Sequence, residues 1–293
     1  MSGSAWRVVS GSLRAAIEMA LPTSCGGCGA PGPAWCARCA HEAGTISYPG
    51  GPKQVCPTPC PVAYPPTWAA TPYAGSVRVA LVAFKDSDRR DLGTVLAPML
   101  SDAMVAALTC DPRLRAALAS GNGPVIVIPV PSSSSAVRRR GDAPLELLTH
   151  AAVACSAPPV RPVRPVRPVR PVRPVRAASP NRSSGDLVVW PALRIRRRVA
   201  DQAGLNHRQR AANLEYAMQV KPRWRAAVRG VPCLLVDDVL TTGATLMEAA
   251  RALREAGAGP IGAATVAATQ RRAGPSDGGL RNEDLREQPV TSR

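Results

Sequence analysis

The residues with the clearest chemical potential lie in one stretch, residues 234–246, which reads LLVDDVLTTGATL. Its apolar first part is typical of a central parallel strand that helices cover on both faces. Asp237 and Asp238 follow, at the edge of the sheet where open α/β folds bind ligands. The next turn offers hydroxyl groups, backbone N–H groups and a helix N-terminus, which favour an anion; its residues are Thr241, Thr242, Gly243, Ala244 and Thr245. Carboxylates that accept ribose hydroxyls, next to a site for a 5′-phosphate, predict the binding of a phosphorylated ribose.

Two other interpretations of the paired acids are weaker. A Walker B element would hold Mg²⁺, but it needs a companion G-x-x-x-x-G-K-[ST] loop. The chain has three lysines, Lys53, Lys85 and Lys221, and none of them lies in such a loop. An ordinary turn with a threonine as helix N-cap explains one hydroxyl, but not two acids, three threonines and a glycine at this spacing.

Two pairs of cysteines near the N-terminus have the spacing of a zinc site. Cys25 and Cys28 form one C-x2-C pair, and Cys36 and Cys39 form a second pair after seven intervening residues. Glycines beside the first pair ease the tight turn that lets two thiolates reach one tetrahedral Zn²⁺. Disulfides and redox chemistry are the alternatives, but a reducing cytoplasm disfavours disulfides and no βαβ pattern surrounds the pairs. The spacing therefore predicts a structural four-cysteine zinc site.

A third pair, Cys56 and Cys60, has C-x3-C spacing, and His41 lies nearby in the sequence. Any of these three residues could replace one of the four zinc ligands, but we interpret them as bystanders. The pair falls in a proline-rich stretch, residues 49–72, which we predict to be an irregular connector.

The elements that must position these residues alternate between strands and helices. Strand–helix–strand order with these lengths gives a right-handed parallel βαβ unit. The small polar loop after residue 131, with an arginine run at 138–140, is a candidate second phosphate contact, although loop serines are common without such a role. The predicted elements are a helix over residues 92–108, a strand over 125–131, a strand from 187, a helix over 245–256 and a strand over 261–268.

The chain divides into four predicted parts. They are an amphipathic helix over residues 1–21, the zinc module with its connector over 22–72, the main domain over 73–272 and a disordered tail over 273–293. Residues 157–185 interrupt the main domain with a repeat of Arg-Pro-Val. Polyproline II has three residues per turn, so the six repeat arginines would align along one edge. This pattern is compatible with an expanded insertion without function, and also with a tether for a polyanion.

Charge and composition bound the partners of the chain. Of its 37 basic residues only three are lysine, and the formal net charge of +17 falls to +11 without the six repeat arginines. Arginine clusters suit phosphate and carboxylate ligands, and this much charge attracts nucleic acid without proving a function. The chain has no run of 18 apolar residues, so no membrane span is predicted. The N-terminus lacks the unbroken apolar core of a secretory signal. We expect a cytoplasmic protein.

Taken together, these features resemble the ComF family, the competence-protein-F-like type I phosphoribosyltransferases. The resemblance implies an α/β fold with a parallel sheet and flanking helices, plus a small N-terminal four-cysteine zinc-binding module. The chain departs from the family pattern after Gly141. The family usually has an aromatic residue and then Asn-Gln there, whereas this chain has Asp142, Ala143 and Pro144. Besides the cysteine pairs, the family-like segments are YAGSVRVALVAFK (73–85), PVPSS (129–133) with RRRG (138–141), QAGLNHRQRAAN (202–213) and DDVLTTGAT (237–245).

The resemblance also implies a reaction and the residues that perform it. The reaction is Mg²⁺-dependent transfer of a 5-phosphoribosyl group from phosphoribosyl pyrophosphate (PRPP) to an unidentified acceptor, a pentosyltransferase reaction that releases pyrophosphate. Residues 194–210 would form a mobile hood over PRPP. The catalytic residues implied are Asp237, Asp238 and Arg210, and PRPP binding is implied for the 241–245 turn, Ser132, Ser133 and Lys85.

Two functions without catalysis are alternatives. The family's association with DNA uptake, the zinc module and the basic charge favour an accessory protein that senses PRPP or handles DNA. Its partners would then include single-stranded DNA or the DNA-uptake machinery. A zinc-ribbon DNA binder without PRPP is weaker, because it leaves the paired acids and threonines unexplained.

Overall fold

The computed structural model describes residues 24–121, 123–132, 142–156, 187–196 and 216–270. Within these residues the helices are α1 (Ala37–Ile46), α2 (Gly75–Asp86), α3 (Gly93–Cys110), α4 (Pro112–Ala119), α5 (Pro144–Cys155), α6 (Pro222–Arg225) and α7 (Ala244–Glu255). The strands are β1 (Lys53–Val55), β2 (Thr67–Pro72), β3 (Val125–Pro129), β4 (Leu187–Val189), β5 (Leu193–Ile195), β6 (Met218–Val220), β7 (Cys233–Leu240) and β8 (Ile261–Ala268).

Six strands form one sheet in the order β1-β2-β8-β7-β3-β4. All neighbouring pairs are parallel except β1 with β2, which is antiparallel. Strand β7 is central, with Val236 opposite Ala264 of β8 on one side and Pro129 of β3 on the other. Its side chains alternate between the two faces, so that Leu234 and Leu235 enter opposite cores. This double burial explains why the sequence of β7 is continuously apolar before its acids.

Helices cover both faces of the sheet. On one face α2, α3 and α5 bury the larger core, which includes Leu96, Leu100 and Met104 of α3. On the other face α7 buries Leu246 and Leu253 together with residues of the antiparallel β5–β6 pair. Helical layers on both faces of a mostly parallel sheet confirm the predicted α/β fold class.

The apolar segment Arg90–Cys110 contains α3 and the short 3₁₀ turn before it. By length and composition alone it could cross a membrane, and half of its most apolar window is buried inside the protein. Helix α3 packs on α5 and on strands β2 and β8. Its apolar residues therefore have partners within the fold, as in the core helix of an α/β domain.

The prediction of an irregular connector over residues 49–72 is wrong. Strands β1 and β2 lie in this stretch, and β2 pairs with β8 from Thr67 to Pro72. Trp68 and Ala69 of β2 are buried, so the strand belongs to the core and not to the surface. The prolines cluster before Thr67 and at Pro72, where the strand begins and ends, and they do not interrupt the pairing.

Other predicted elements are confirmed to within about two residues. The two predicted helices correspond to α3 and α7, the predicted strands to β3, β4 and β8, and β7 and β8 are parallel on either side of α7. The apolar segment before Lys85 forms α2. Predictions for residues 1–21, 157–185 and 273–293, and for most of the hood, lie outside the described residues. The division at residue 72 stays a prediction.

Candidate functional site

Two carboxyl groups lie side by side near the end of β7. Asp237 is 9% exposed, and its Oδ1 accepts a 2.9 Å hydrogen bond from the backbone N–H of Asp238. The side chain of Asp238 is more exposed, and its Oδ2 lies 2.7 Å from Nζ of Lys85. Lys85 stands at the end of α2, 153 residues earlier in the chain. The fold therefore brings a cation from a distant helix to the paired acids.

The electrostatics of the two acids differ. Burial and then the charge of Asp238 raise the pKa of Asp237 well above its usual range. Burial lowers the pKa of Lys85, but the charges of Asp238 and Asp237 outweigh it and raise that pKa overall. Lys85 consequently stays protonated and compensates Asp238. Asp237 is left as a carboxyl group whose ionisation is costly until a further cation or a hydroxyl donor reaches it.

The residues after the acids form the phosphate loop, defined as residues 241–245. Gly243 has a φ of 73°, in the left-handed region that favours glycine, and it is the N-cap of α7. The hydroxyl Oγ1 of Thr242 accepts a 3.4 Å hydrogen bond from the N–H of Ala244. The first N–H groups of a helix have no partner within that helix, and residues 244 and 245 of this loop belong to the first turn of α7. The loop thus has the geometry of an anion site.

A wall formed by the segment between β1 and β2 stands against the phosphate loop. Pro57 is buried in this segment. A Cβ atom built on Gly243 would lie 2.8 Å from Cγ of Pro57 and 2.8 Å from Cε2 of Tyr64. These distances are too short for a real Cβ contact, so glycine is required at this position by close packing as well as by its backbone conformation.

A cavity of about 540 Å³ opens beside the phosphate loop. One side consists of β1 and the residues Cys56, Pro57 and Thr58, and the other contains Thr241, Thr242 and the end of β8. Ligand sites of proteins commonly have volumes of about 300–1,000 Å³. Sequence reasoning missed this wall, because its proline content suggested an irregular connector. The signal that was present is the C-x3-C pair itself, whose short spacing allows the two cysteines to close a loop.

The loop expected on the pyrophosphate side begins at the same edge of the sheet. Strand β3 lies next to β7, and Ser132 follows three residues after its end at Pro129. Ser133, Arg210 and the arginine run at 138–140 lie outside the described residues. Their contribution to the site therefore stays a prediction.

Asp142, the first residue that departs from the resemblance, has a partner in the fold. Arg90 binds it with both arms of the guanidinium, with Nε 2.6 Å from Oδ2 and Nη2 2.8 Å from Oδ1. The same guanidinium donates to the carbonyl oxygen of Phe84 and lies 5.3 Å from the centre of its ring. Asp142 is thus held at the junction between α2 and α3.

The four cysteines of the predicted zinc site come together, with all Sγ atoms within 4.8 Å of one another; they are Cys25, Cys28, Cys36 and Cys39. The Sγ atoms of Cys25 and Cys39 are 3.6 Å apart, and those of Cys28 and Cys36 are 3.7 Å apart. A tetrahedral site with Zn–S bonds of about 2.3 Å has sulfur–sulfur edges of about 3.8 Å. The number, type and spacing of these ligands therefore fit Zn²⁺.

Backbone N–H groups prepare part of this cluster for a metal. Burial raises the pKa of Cys25, but N–H groups of Cys36, Cys28 and Gly27 outweigh burial and lower that pKa to about 6. Two of these N–H groups, of Cys36 and Gly27, lie 3.4 and 3.5 Å from its sulfur. Burial and the neighbouring thiols raise the pKa of Cys39. A bound Zn²⁺ would compensate the charge of all four as thiolates and would serve a structural purpose.

The cluster is packed against the α/β body. Ser76 at the start of α2 donates a 3.2 Å hydrogen bond to the carbonyl oxygen of Cys39. A Cβ atom built on Gly27 would lie 2.7 Å from Sγ of Cys39 and 2.9 Å from Cβ of Ser76. The glycine therefore permits a close approach of the first turn to both the second pair and α2.

Neither Cys56 nor Cys60 belongs to this cluster, because the two form a disulfide with each other. His41 is likewise absent from it. The interpretation of these residues as bystanders to the metal site agrees with this arrangement, but the disulfide itself was not expected.

One comparison with known proteins finds a family model that matches part of the chain. Residues 193–287 match the family model of the phosphoribosyl transferase domain. This region contains β5 to β8, α7, both acids and the phosphate loop, and it covers less than half of the chain. No curated protein matches the chain. The fold, the site and the match together support a phosphoribosyltransferase-type enzyme with PRPP as its substrate.

Proposed function

We propose that the protein transfers the 5-phosphoribosyl group of PRPP to a nucleophilic acceptor and releases pyrophosphate. The observation that carries this proposal is the arrangement at one edge of the sheet, where Asp237, Asp238 and Lys85 lie beside the phosphate loop. The match to the phosphoribosyl transferase domain, which includes both acids and the phosphate loop, also supports it. The reaction belongs to the pentosyltransferases.

The tasks of the protein follow from the charge changes of this reaction. Positive charge builds at C1 of the ribose as pyrophosphate leaves, so the enzyme must position the reactants and stabilise charge. Asp237 and Asp238 are proposed to hold the ribose hydroxyls, directly or through metal-bound water. The backbone N–H groups and threonine hydroxyls of the phosphate loop hold the 5′-phosphate. Lys85 orients Asp238 and adds positive charge near the phosphates.

Mg²⁺ is the metal that this site would take with PRPP. Carboxylate oxygens such as those of Asp237 and Asp238 are ligands that Mg²⁺ accepts, and the ion would neutralise charge on the departing pyrophosphate. Ser132, Ser133 and Arg210 are proposed to contact the pyrophosphate. Closure of residues 194–210 over the substrate would exclude water, which is the competing nucleophile.

Within this class we assign the chain to a ComF-like branch in the cytoplasm, with a connection to DNA uptake. The combination of a zinc-type cysteine cluster with a phosphoribosyl site in one chain supports the branch. Four clustered free thiols suit a reducing compartment. The basic charge of the chain suits single-stranded DNA, or a component of the uptake machinery, as a partner.

A second candidate is a protein that binds PRPP without transferring it and that senses PRPP or handles DNA. The ion pair of Asp142 with Arg90 favours it, since Asp142 stands where the resemblance expects residues of a different type. An accessory role in handling DNA is also compatible with the net charge of +17.

The test of PRPP binding is titration calorimetry of the full chain with PRPP and Mg²⁺. The double variant Asp237→Asn with Asp238→Asn should lose binding while the fold survives. The matched control, Asp88→Asn with Asp102→Asn, removes two acids outside the site and should bind PRPP like the wild type. Equal affinity for PRPP in the site variant and the wild type would sink the assignment.

Catalysis is then tested by pyrophosphate release from PRPP across a panel of bases and amines. Release that depends on one acceptor supports transfer. Binding of PRPP without release, alongside DNA binding that survives physiological salt, supports the accessory function.

A further inference from the structure

The disulfide between Cys56 and Cys60 closes a short loop, residues 56–60, named here the cysteine loop. Both cysteines are exposed, and the other seven cysteines of the chain are free. An exposed disulfide in a chain that otherwise carries thiols is accessible to exchange with small thiols. In a reducing compartment, such as the cytoplasm proposed above, the disulfides that do occur are commonly catalytic or redox-sensing.

We propose that this disulfide is a thiol–disulfide switch that controls how tightly the phosphate loop binds PRPP. The inference rests on the proposed PRPP binding and adds a regulation of that site. It assigns a function to two cysteines that neither the metal cluster nor the reaction uses.

The first observation is direct packing of the cysteine loop on the phosphate loop. Pro57 follows Cys56 and is buried, although the residues on either side of it are exposed. Its Cγ lies 2.8 Å from the position that a Cβ atom on Gly243 would occupy. Gly243 is the N-cap of α7 and has the left-handed conformation on which the loop depends. A displacement of Pro57 therefore removes a neighbour that supports this conformation.

The second observation is that the cysteine loop forms part of the cavity. Cys56, Pro57 and Thr58 line the same space of about 540 Å³ as Thr241 and Thr242. This space is open while the disulfide is formed, so the oxidised state is compatible with a ligand. A change in the cysteine loop changes the wall that the ligand meets.

The third observation is that the strand before the cysteine loop, β1, is short. It has three residues, and among the strands that the structure describes it lies at the edge of the sheet and pairs with β2. A short edge strand contributes little order by itself. The covalent link between Cys56 and Cys60 therefore supplies much of the order of this wall, and its loss leaves more conformations to be fixed when a ligand binds.

The chemistry of the switch balances as ordinary thiol–disulfide exchange. In the reducing direction, a dithiol reductant donates two electrons and two protons. The bond between the sulfurs of Cys56 and Cys60 breaks, two thiols form, and the reductant becomes a disulfide. In the oxidising direction, a small-molecule disulfide accepts two electrons from the two thiols and is released as two thiols.

The redox state in which the cysteine loop is already ordered should bind PRPP more tightly. In the oxidised protein Pro57 is held against Gly243 before PRPP arrives. In the reduced protein the same contact must form during binding. We therefore expect reduction to weaken PRPP binding by about tenfold.

The test compares the zinc-loaded full chain before and after treatment with a dithiol reductant, with zinc content measured in both states. PRPP affinity is measured by calorimetry, and hydrogen–deuterium exchange is followed for the segment 238–246 without ligand. On reduction we expect weaker PRPP binding and faster hydrogen–deuterium exchange in this segment. Unchanged or tighter PRPP binding overturns the switch, and so does unchanged exchange.

Two double variants separate the switch from other effects of the reductant. Cys56→Ser with Cys60→Ser should resemble the reduced protein in both conditions. The matched control, Cys110→Ser with Cys155→Ser, removes two other exposed cysteines and should keep the full response. A response that persists in the first variant overturns the proposal. If neither redox state binds PRPP, the proposed function fails, and the exchange of segment 238–246 alone decides the switch.

Discussion

The acid pair on β7 and the cysteine cluster both bring groups of like charge into a small space, but they compensate that charge differently. The cysteine cluster places four ligands as if at the corners of a tetrahedron, and one metal ion would compensate the charge of all of them. At the acid pair Lys85 compensates Asp238, while Asp237 keeps a raised pKa. Full compensation of the charge is typical of a site that stabilises a fold. A buried acid whose charge is not compensated is typical of a site that binds a ligand.

The largest expected effect is on stability at the cysteine cluster. We expect the purified protein to contain stoichiometric zinc, and its removal by a chelator to lower the free energy of unfolding by about 3 kcal/mol, or roughly 10 °C in the midpoint. Cys39→Ser should have a similar effect, because it removes one of the four clustered sulfur ligands. Thermal unfolding measures the loss of stability, and metal analysis measures the zinc content. The control Cys110→Ser, at an exposed free thiol, should change neither quantity.

An effect of intermediate size is expected where the phosphate loop meets its wall. Gly243→Ala places a methyl group 2.8 Å from Pro57 and Tyr64 and forces a positive φ on alanine, which should cost about 2 kcal/mol of stability. PRPP affinity should fall with it. Gly230→Ala is the matched control, because that glycine also has a positive φ but no atom near its would-be Cβ. If the two variants lose equal stability, the packing against the wall is not important and backbone strain explains both.

Asp237→Asn separates stability from function at the acid pair. Asparagine can still accept the hydrogen bond from the N–H of Asp238, but it removes a buried charge, so we expect about 1 kcal/mol more stability at pH 8 and loss of PRPP binding. The folded pKa of Asp237 lies above its unfolded value of about 3.9, so the wild type loses stability as pH rises from that value towards the folded pKa. The gain from Asn should therefore be larger at pH 8 than at pH 5 in urea unfolding. A gain that shrinks as pH rises contradicts the raised pKa.

The same two regions show what the sequence could predict and what it could not. The cysteine cluster and the β7–α7 turn are encoded locally, since Cys25 and Cys28, or Asp238 and Gly243, are close in the chain and their spacing has few physical solutions. The partners of the acids are encoded at long range. Nothing local links Lys85 to Asp238 or Arg90 to Asp142.

Strand β2 was missed for a related reason. Its pairing with β8 depends on residues almost 200 positions apart, while its local composition, rich in proline, favours an irregular segment. The wall at Pro57 and Tyr64, and the disulfide of the cysteine loop, depend on the course of this strand. Pattern reasoning therefore found the residues that we propose to bind the phosphoribosyl group, but not the wall of residues against which they pack.

The smallest expected effect tests how the acid pair is compensated. Lys85 is half exposed, so its ion pair with Asp238 should contribute only about 0.5 kcal/mol to stability, and Lys85→Gln should barely move the unfolding midpoint. PRPP affinity should nevertheless fall, because the variant removes the positive charge that orients Asp238 near the phosphates. Lys53→Gln, at a lysine that lines the cavity on the wall side, is the matched control and should reduce binding less. If Lys85→Gln destabilises the fold strongly and leaves PRPP affinity unchanged, then the acid pair stabilises the fold, as the cysteine cluster does. The contrast between the two regions would then not hold.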